Sequence, residues 1–332
     1  MAQRYYTKIL GTGSAFPQRS VSNAELAASV DTSDEWIYER TGIRNRRIAS
    51  LKGDETNSGM AARAALAALE VAKTTPEEID RIIVATVSPD HVIPNASCAL
   101  QERIGAKNAA AFDLSAACSG FVYGLELSNA LIQSGMAKKI LLVGSEVLSS
   151  FVNWKDRGTC ILFGDGAGAV VLGRSTDESS QICSTHLQAD GWSKDLFYIT
   201  AGGSSIPVSH ATVDENLQFM QMKGREIFKV AVKMLADCSE RALEKSGYSI
   251  SDVDWIVPHQ ANLRIIEALA KRMQVPMQKV ILNIEDYGNT SSATVPSAFD
   301  LAVREGRIRR GDLVLFTVFG AGLTYGASVL RY

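Results

Sequence analysis

Short apolar runs, each bounded by turn-forming residues, alternate along this chain with longer stretches whose apolar positions recur every three to four residues. The runs at 82–87, 140–144, 161–163, 169–172, 255–257 and 313–318 are too short for helices. Their near-continuous apolar character marks strands buried on both faces. The stretches at 58–71, 121–133, 226–245, 262–273 and 295–305 carry helical spacing. Strands alternating with helices predict an α/β body.

The pattern also repeats. Ile79-Asp80 precedes the run at 82, and Val253-Asp254 precedes the run at 255, with 174 positions between Asp80 and Asp254. The same offset carries Cys118 onto Ser292, and both positions open helical stretches rich in Ala and Ser. Each such helix leads to a glycine, a basic pair and an apolar run: Gly135, Lys138-Lys139 and Ile140, then Gly306, Arg309-Arg310 and Leu313. A period this long is not that of a solenoid. It predicts two similar halves, 1–180 and 181–332, packed face to face with the ligand site at their junction.

Composition removes several function classes. The chain has 332 residues, 46% of them hydrophobic, enough for a large buried core. Its net charge of −2 gives no field that would draw it to nucleic acid. No run of about 18 apolar residues occurs, so no membrane span is expected. The stretch from Met1 to Lys8 lacks the apolar segment of an export signal. Five cysteines, an odd number without a CxxC pair, argue against a disulfide framework and for a reducing, cytoplasmic setting. The four histidines include no i, i+4 pair, so no metal site is expected.

Three remote segments hold the candidate chemistry: Asp113-Leu114-Ser115-Ala116-Ala117-Cys118-Ser119-Gly120-Phe121, Pro258-His259-Gln260-Ala261-Asn262 and Tyr287-Gly288-Asn289-Thr290-Ser291. Cys118 follows an expected strand and opens an expected helix, where the helix dipole and unpaired N–H groups would lower a thiol pKa below about 8.5. Its small neighbours leave the sulfur approachable. His259 ends an apolar strand, the place where α/β proteins present functional side chains. A neutral imidazole there can donate to a thioester oxygen or take a proton from Cys118. The Asn289 carboxamide would join it in binding an enolate oxygen. In Gly320-Ala321-Gly322, the N–H of Ala321 would form an oxyanion hole with that of Cys118. Each residue also has a plainer reading: a buried thiol, a helix-capping histidine and ordinary Gly-Asn and Gly-Ala-Gly turns.

Two glycine-rich segments, Gly11-Thr12-Gly13 and Gly164-Asp165-Gly166-Ala167-Gly168, are not phosphate loops, because neither opens a helix. They are read as close backbone packing or turns. Trp36 and Arg40, at i, i+4 in an expected helix, place an indole and a guanidinium on one face able to clamp a flat base. Arg157, Arg264, Lys271 and Arg272 are candidates for phosphates, or plain surface charges.

Taken together, these segments, with Asp34-Glu35-Trp36, Arg40-Thr41-Gly42-Ile43, Asp156-Arg157-Gly158-Thr159 and Phe163 to Gly168, resemble β-ketoacyl-acyl-carrier-protein synthase III almost end to end. The resemblance implies a thiolase fold, a duplicated five-layer α/β/α/β/α body, assembled as a homodimer. It implies that Cys118 takes the acyl group from acyl-CoA. His259 and Asn289 would then drive decarboxylation of the malonyl thioester, and the carbanion would attack the acyl-cysteine. Trp36, Arg40 and Arg157 match CoA adenine and phosphate contacts, Asn262 a pantetheine contact, and Phe228 an acyl-channel wall. Lys229, Arg264, Lys271 and Arg272 match basic positions that dock the acidic acyl carrier protein. Ile93 falls where some relatives carry Phe at the base of the acyl pocket, and Ala321 stands where relatives often have glycine. No cofactor is implied beyond acyl-CoA as a substrate. A specialised synthase priming or joining other acyl chains, a cysteine thioester hydrolase and a non-catalytic binding module are the competing readings.

Overall fold

The computed structural model describes residues 5–50 and 53–332. Of the N-terminal stretch read above for an export signal, Met1 to Arg4 lie outside the described residues. Two mixed sheets form the body. The first contains β1 (Tyr6–Ala15), β2 (Arg81–Ala85), β3 (Ala110–Leu114), β4 (Lys139–Glu146) and β5 (Gly166–Ser175), in the order β1-β5-β4-β2-β3. The second contains β6 (Gln181–Ala189), β7 (Trp255–Pro258), β8 (Leu313–Gly320) and β9 (Thr324–Arg331), in the order β7-β8-β9-β6. The principal helices are α1 (Asp34–Thr41), α2 (Asn57–Ala72), α3 (Ala96–Ile104), α4 (Gly120–Gln133), α5 (Gly224–Ser246), α6 (Leu263–Arg272) and α7 (Thr294–Arg304).

Strand periodicity explains the layering. In β4, Ile140 and Leu142 join a central core that also holds Phe121 and Leu125 of α4 and Phe299 and Ala302 of α7. The alternate residues Leu141 and Val143 face an outer core with Met60, Ala64 and Ala68 of α2 and Leu100 of α3. In β8, Val314, Phe316 and Val318 enter the same central core, while Leu313 and Leu315 pack outward with Leu235 of α5 and Leu269 of α6. The order is therefore helix, sheet, helix, sheet, helix. Both faces of each sheet are covered, which is why the strands read as unbroken apolar runs.

The repeat offset of 174 is kept residue for residue at the junction. β4 spans 139–146 and β8 spans 313–320. The turn at Ala117–Ser119 leads into α4 at Gly120, and the turn at Ser291–Ala293 leads into α7 at Thr294. Both turns hold an L-residue at positive φ at the equivalent position, Ala117 at 46° and Ser291 at 52°. Such a conformation is costly without a fixed surrounding. In the second sheet the counterpart of edge strand β3 shrinks to a single bridge, Ile256 with Val280.

One expectation is corrected. The apolar run 161–163 is not a sheet strand; it packs in a separate cluster, and Phe163 pairs with Asn289 through one isolated bridge. Of the two readings of Gly164–Gly168, close backbone packing holds, with Gly166 and Gly168 inside β5. A Cβ on Gly168 would stand 2.5 Å from Ser297 N, so the glycine admits α7. No described helix is long and apolar enough to cross a membrane.

Candidate active site

Cys118, His259 and Asn289 line one pocket, with Phe163, Phe228 and Phe319 among its walls. Cys118 lies on the turn after β3, His259 directly follows β7 and Asn289 leads into the turn at Ser291–Ala293, so the layered fold joins what the chain separates.

Cys118 sits on the strained elbow before α4 and is 6% exposed. Burial pushes its thiol up to about 12; the Ser291 hydroxyl pulls it down and the charge of Glu146 pushes it further up. The expected depression is thus overturned. A helix N-terminus contributes about 0.3–1 kcal/mol, less than one pKa unit, whereas full burial moves a group by as much as 3–5 units.

The backbone N–H of His259 donates to Thr317 O at 2.8 Å, and its Nδ1 lies 2.7 Å from Thr294 Oγ1. Burial drives its pKa down to about 3, so the ring is neutral at pH 7. The capping alternative fails, because Asn262 caps α6 by accepting from the Arg264 N–H at 2.9 Å. The Asn289 backbone is clamped to the first half: its N–H donates to Leu162 O at 2.9 Å and its carbonyl accepts from Gly164 N at 3.0 Å. Asn289 Oδ1 accepts from the Ser291 N–H at 2.8 Å, which fixes the amide orientation and leaves Nδ2 as the group presented to the pocket.

The Gly320-Ala321-Gly322 turn joins β8 to the final strand β9. A Cβ on Gly320 would stand 2.7 Å from Cys118 N, so only glycine fits there. Thr324 Oγ1 donates to Ala116 O at 2.8 Å and lies 3.1 Å from Ala321 O, tying this turn to the cysteine elbow.

At the surface, Trp36 has the guanidinium carbons of both Arg40 (4.2 Å) and Arg157 (4.6 Å) over its ring. Asn262 lines the pocket, and its Nδ2 donates to Arg40 O at 2.9 Å, joining α6 to α1. Phe228 is 37% exposed, with Arg264 5.9 Å from its ring centroid. Lys229, Arg264, Lys271 and Arg272 are all exposed, and Arg272 reaches Asp237 at 3.4 Å. Ile93 does not reach the pocket of its own chain. It is 86% exposed beside the exposed Val92, in the loop between β2 and α3. Sequence reasoning gave no role to Glu146, Ser291 and Thr294; a carboxylate two residues past the apolar run 140–144 was the available signal.

Two family descriptions match the chain: 3-oxoacyl-[acyl-carrier-protein (ACP)] synthase III over residues 112–191, and its C-terminal part over residues 243–332. The β-ketoacyl-[acyl-carrier-protein] synthase III of Methylococcus capsulatus is 50% identical over 327 residues, covering 98% of this chain and 99% of the relative. That of Caldanaerobacter subterraneus is 47% identical over 332 residues, covering 100% and 99%. The crystal structure of 3-oxoacyl-[acyl-carrier-protein] synthase III from Aquifex aeolicus superposes with a TM-score of 0.90 at 47% identity, covering 98% of this chain and 100% of that one.

Proposed function

The chain belongs to the 3-oxoacyl-[acyl-carrier-protein] synthase III family and is the initiating condensing acyltransferase of type II fatty acid synthesis, and from that premise we propose how its own residues divide the work. Cys118 carries the acyl group taken from acyl-CoA. His259 and Asn289 bind the carbonyl oxygen of the malonyl thioester on acyl carrier protein and stabilise the enolate formed when carbon dioxide leaves. The enolate carbon attacks the acyl-cysteine, and Cys118 departs. The convergence of the three side chains on one pocket carries this reading.

The hydrogen bonding supports those roles. Thr294 Oγ1 stands between two acceptors, Ser291 O at 2.8 Å and His259 Nδ1 at 2.7 Å; Ser291 O also accepts from the Thr294 N–H, and this reading places the hydroxyl hydrogen on the His259 side. The ring hydrogen then sits on Nε2, which becomes a donor aimed into the pocket. Asn289 Nδ2 is the second donor. Two preorganised donors on a developing oxyanion are worth about 10²–10³ in rate apiece. The N–H groups of Cys118 and Ala321 serve the tetrahedral intermediate of acyl transfer in the same way.

The remaining assignments are part of this proposal. The two halves divide near 180. Trp36, Arg40 and Arg157 hold the CoA nucleotide, Asn262 the pantetheine and Phe228 the channel wall. Lys229, Arg264, Lys271 and Arg272 offer positive charge to an acidic carrier protein; their exposure supports this. A cavity of about 110 Å³ supports a short primer such as acetyl. The exposed Val92 and Ile93 support a homodimer in which Ile93 serves the pocket of the second copy. The enzyme acts in the cytoplasm. Incubation with acetyl-CoA and malonyl carrier protein tests the whole: a 3-ketoacyl product and one acetyl adduct on Cys118 are expected, and free acetate without condensation would instead mark a hydrolase.

A further inference from the structure

Glu146, the last residue of β4, is fully buried, and no step above uses it. Its two oxygens differ. Oε2 accepts from Ser88 Oγ at 2.5 Å, Val87 N at 3.1 Å and Thr86 Oγ1 at 3.2 Å. The two hydroxyls are held in that direction. Thr86 Oγ1 already accepts from Asn57 Nδ2 (3.0 Å) and Ser88 N (3.1 Å), and Ser88 Oγ accepts from Val147 N (2.8 Å). Three donors fix Oε2 as an acceptor, so any proton that Glu146 takes goes to Oε1. Oε1 meets Ser291 Oγ at 3.0 Å. The turn that carries Ser291 packs against the turn that carries Cys118, and the Ser291 hydroxyl pulls the Cys118 thiol pKa down. Sulfur, hydroxyl and carboxyl therefore stand in sequence, and the serine at their middle is held by the positive-φ elbow of the second half.

The thiol of Cys118 must lose its proton before it can attack a thioester. His259 is a poor acceptor, since burial holds it neutral down to about pH 3. Burial raises Glu146, which brings carboxyl and thiol closer in basicity. Among the described residues, no Lys or Arg acts on the pair. The titratable groups around it are Cys118 and Glu146 themselves, with His259 on the pocket wall.

We propose that Glu146, acting through Ser291, accepts the Cys118 proton and holds it for the lifetime of the acyl-enzyme. This rests on the reading of Cys118 as acyl carrier. The S–H proton passes to Ser291 Oγ as the Ser291 hydrogen passes to Glu146 Oε1. The thiolate attacks the acyl carbon, the bond from that carbon to the CoA sulfur breaks, and CoA leaves as a thiolate that takes a proton from solvent. After decarboxylation, the enolate carbon attacks the same acyl carbon. The bond to Cys118 breaks, and its thiolate recovers the stored proton by the reverse path, leaving Glu146 a carboxylate. While it holds the proton Glu146 is neutral, so it does not repel the enolate charge forming nearby. Glu146 is in this sense a positioning residue for the nucleophile and its proton.

Single-turnover acetyl transfer from acetyl-CoA to the full-length protein, followed by intact-mass spectrometry from mildly acidic to alkaline pH, tests the relay. Glu146→Gln keeps an oxygen for the three donors at Oε2 but takes no proton. It is expected to slow acetylation at neutral pH by about 10²-fold, the scale of general-base catalysis. Its rate should climb with pH, because the thiolate must then form by direct ionisation. Ser291→Ala should do the same, and the double variant should be no slower than the slower single. Decarboxylation of a malonyl thioester, which needs no thiolate, should be nearly unchanged. A purely structural role would instead depress both reactions and leave the pH profile in place. Acetylation of Glu146→Gln at the wild-type rate with the wild-type pH profile overturns the relay. If Glu146→Gln does not fold, Ser291→Ala carries the same expectation. Failure of the wild type itself to acetylate refutes the acyl-carrier reading instead, and the relay with it.

Discussion

Replacing His259 with Ala should separate the two half-reactions. The ring is neutral because burial holds its pKa near 3, so at pH 7 it supplies one hydrogen-bond donor and no charge. Loss of one preorganised donor to a developing oxyanion costs about 2.7–4 kcal/mol, or 10²–10³ in rate, and condensation should slow by that factor. Asn289 Nδ2 remains, held by the Ser291 N–H, so condensation should not vanish. In the proposed division, acyl transfer draws its donors from the Cys118 and Ala321 N–H groups. It should fall far less than the 10²–10⁴ that a general base is worth. Truncation also leaves a cavity, at a stability cost of about 2–4 kcal/mol, so thermal melting must accompany the kinetics. Intact mass after mixing with acetyl-CoA reports the first step, and 3-ketoacyl product from malonyl carrier protein reports the second. An equal fall in both rates would refute this division.

Other consequences follow from the same geometry. Cys118→Ala should abolish the acetyl adduct; an adduct that persists would place the acyl group elsewhere. Gly320→Ala drives a methyl to 2.7 Å from Cys118 N, and displacing a nucleophile by about 1 Å costs on the order of 10²-fold. Its acetylation rate should fall to that extent while the fold survives, and a wild-type rate would show that the turn does not brace the cysteine. Trp36→Ala and Arg157→Ala should each raise KM for acyl-CoA with little change in kcat, the signature of lost uniform binding, whereas a fall in kcat alone would contradict a role in holding the nucleotide. The depressed His259 pKa also makes a stability prediction. Below about 6.5 the unfolded chain binds a proton that the native ring refuses, so stability drops as pH falls from 6.5 towards 3, by up to about 1.4 kcal/mol per unit. Asp165, raised to about 6 by burial, works in the opposite sense, so the readout is the difference between His259→Gln and wild type. Identical slopes of Tm against pH would refute the assignment.

The parts of the fold that were legible in sequence are those where one physical cause acts alone. Strands covered on both faces announce themselves as continuous apolar runs, and Ile140 to Val143 show why: alternate residues enter different cores. Strand β1 was hidden because tertiary packing asks for residues that local propensity assigns to loops. A Cβ on Gly11 or Gly13 would stand 2.3 Å from Ala68 O or 2.2 Å from Ala64 O, so the glycines admit α2. Strand β6, Gln-Ile-Cys-Ser-Thr-His-Leu-Gln-Ala, is half-polar at the edge of its sheet and gave no signal. Within the site, residue types and strand ends pointed to Cys118, His259 and Asn289. Burial could not be read from the chain, and it reverses the expected thiol shift.

The repeat explains why the chemistry is shared out as it is. Subtracting the offset of 174 from His259 gives Ala85, from Asn289 gives Ser115, and from Ser292 gives Cys118. Each half thus carries the same three stations: the end of a strand, the approach to an elbow, and the elbow itself. In the working set, the elbow residue Cys118 shares a pocket with the strand-end residue His259. In the mirrored set, the elbow residue Ser292 donates to Ala85 O at 2.8 Å, so elbow meets strand end again. That second meeting is closed. Ser292 is 1% exposed, and Gly144 lies so near that a Cβ there would stand 2.4 Å from Ser292 O. A duplicated framework offers two potential centres, and this chain has filled one with backbone contacts. Closing it has a mechanical effect, because the second elbow no longer has to admit substrate. It holds Ser291 rigidly enough to orient Asn289 through its N–H, to receive Thr294, which pairs with His259, and to face Cys118 with its hydroxyl. The centre without chemistry of its own has become the scaffold of the centre that has it.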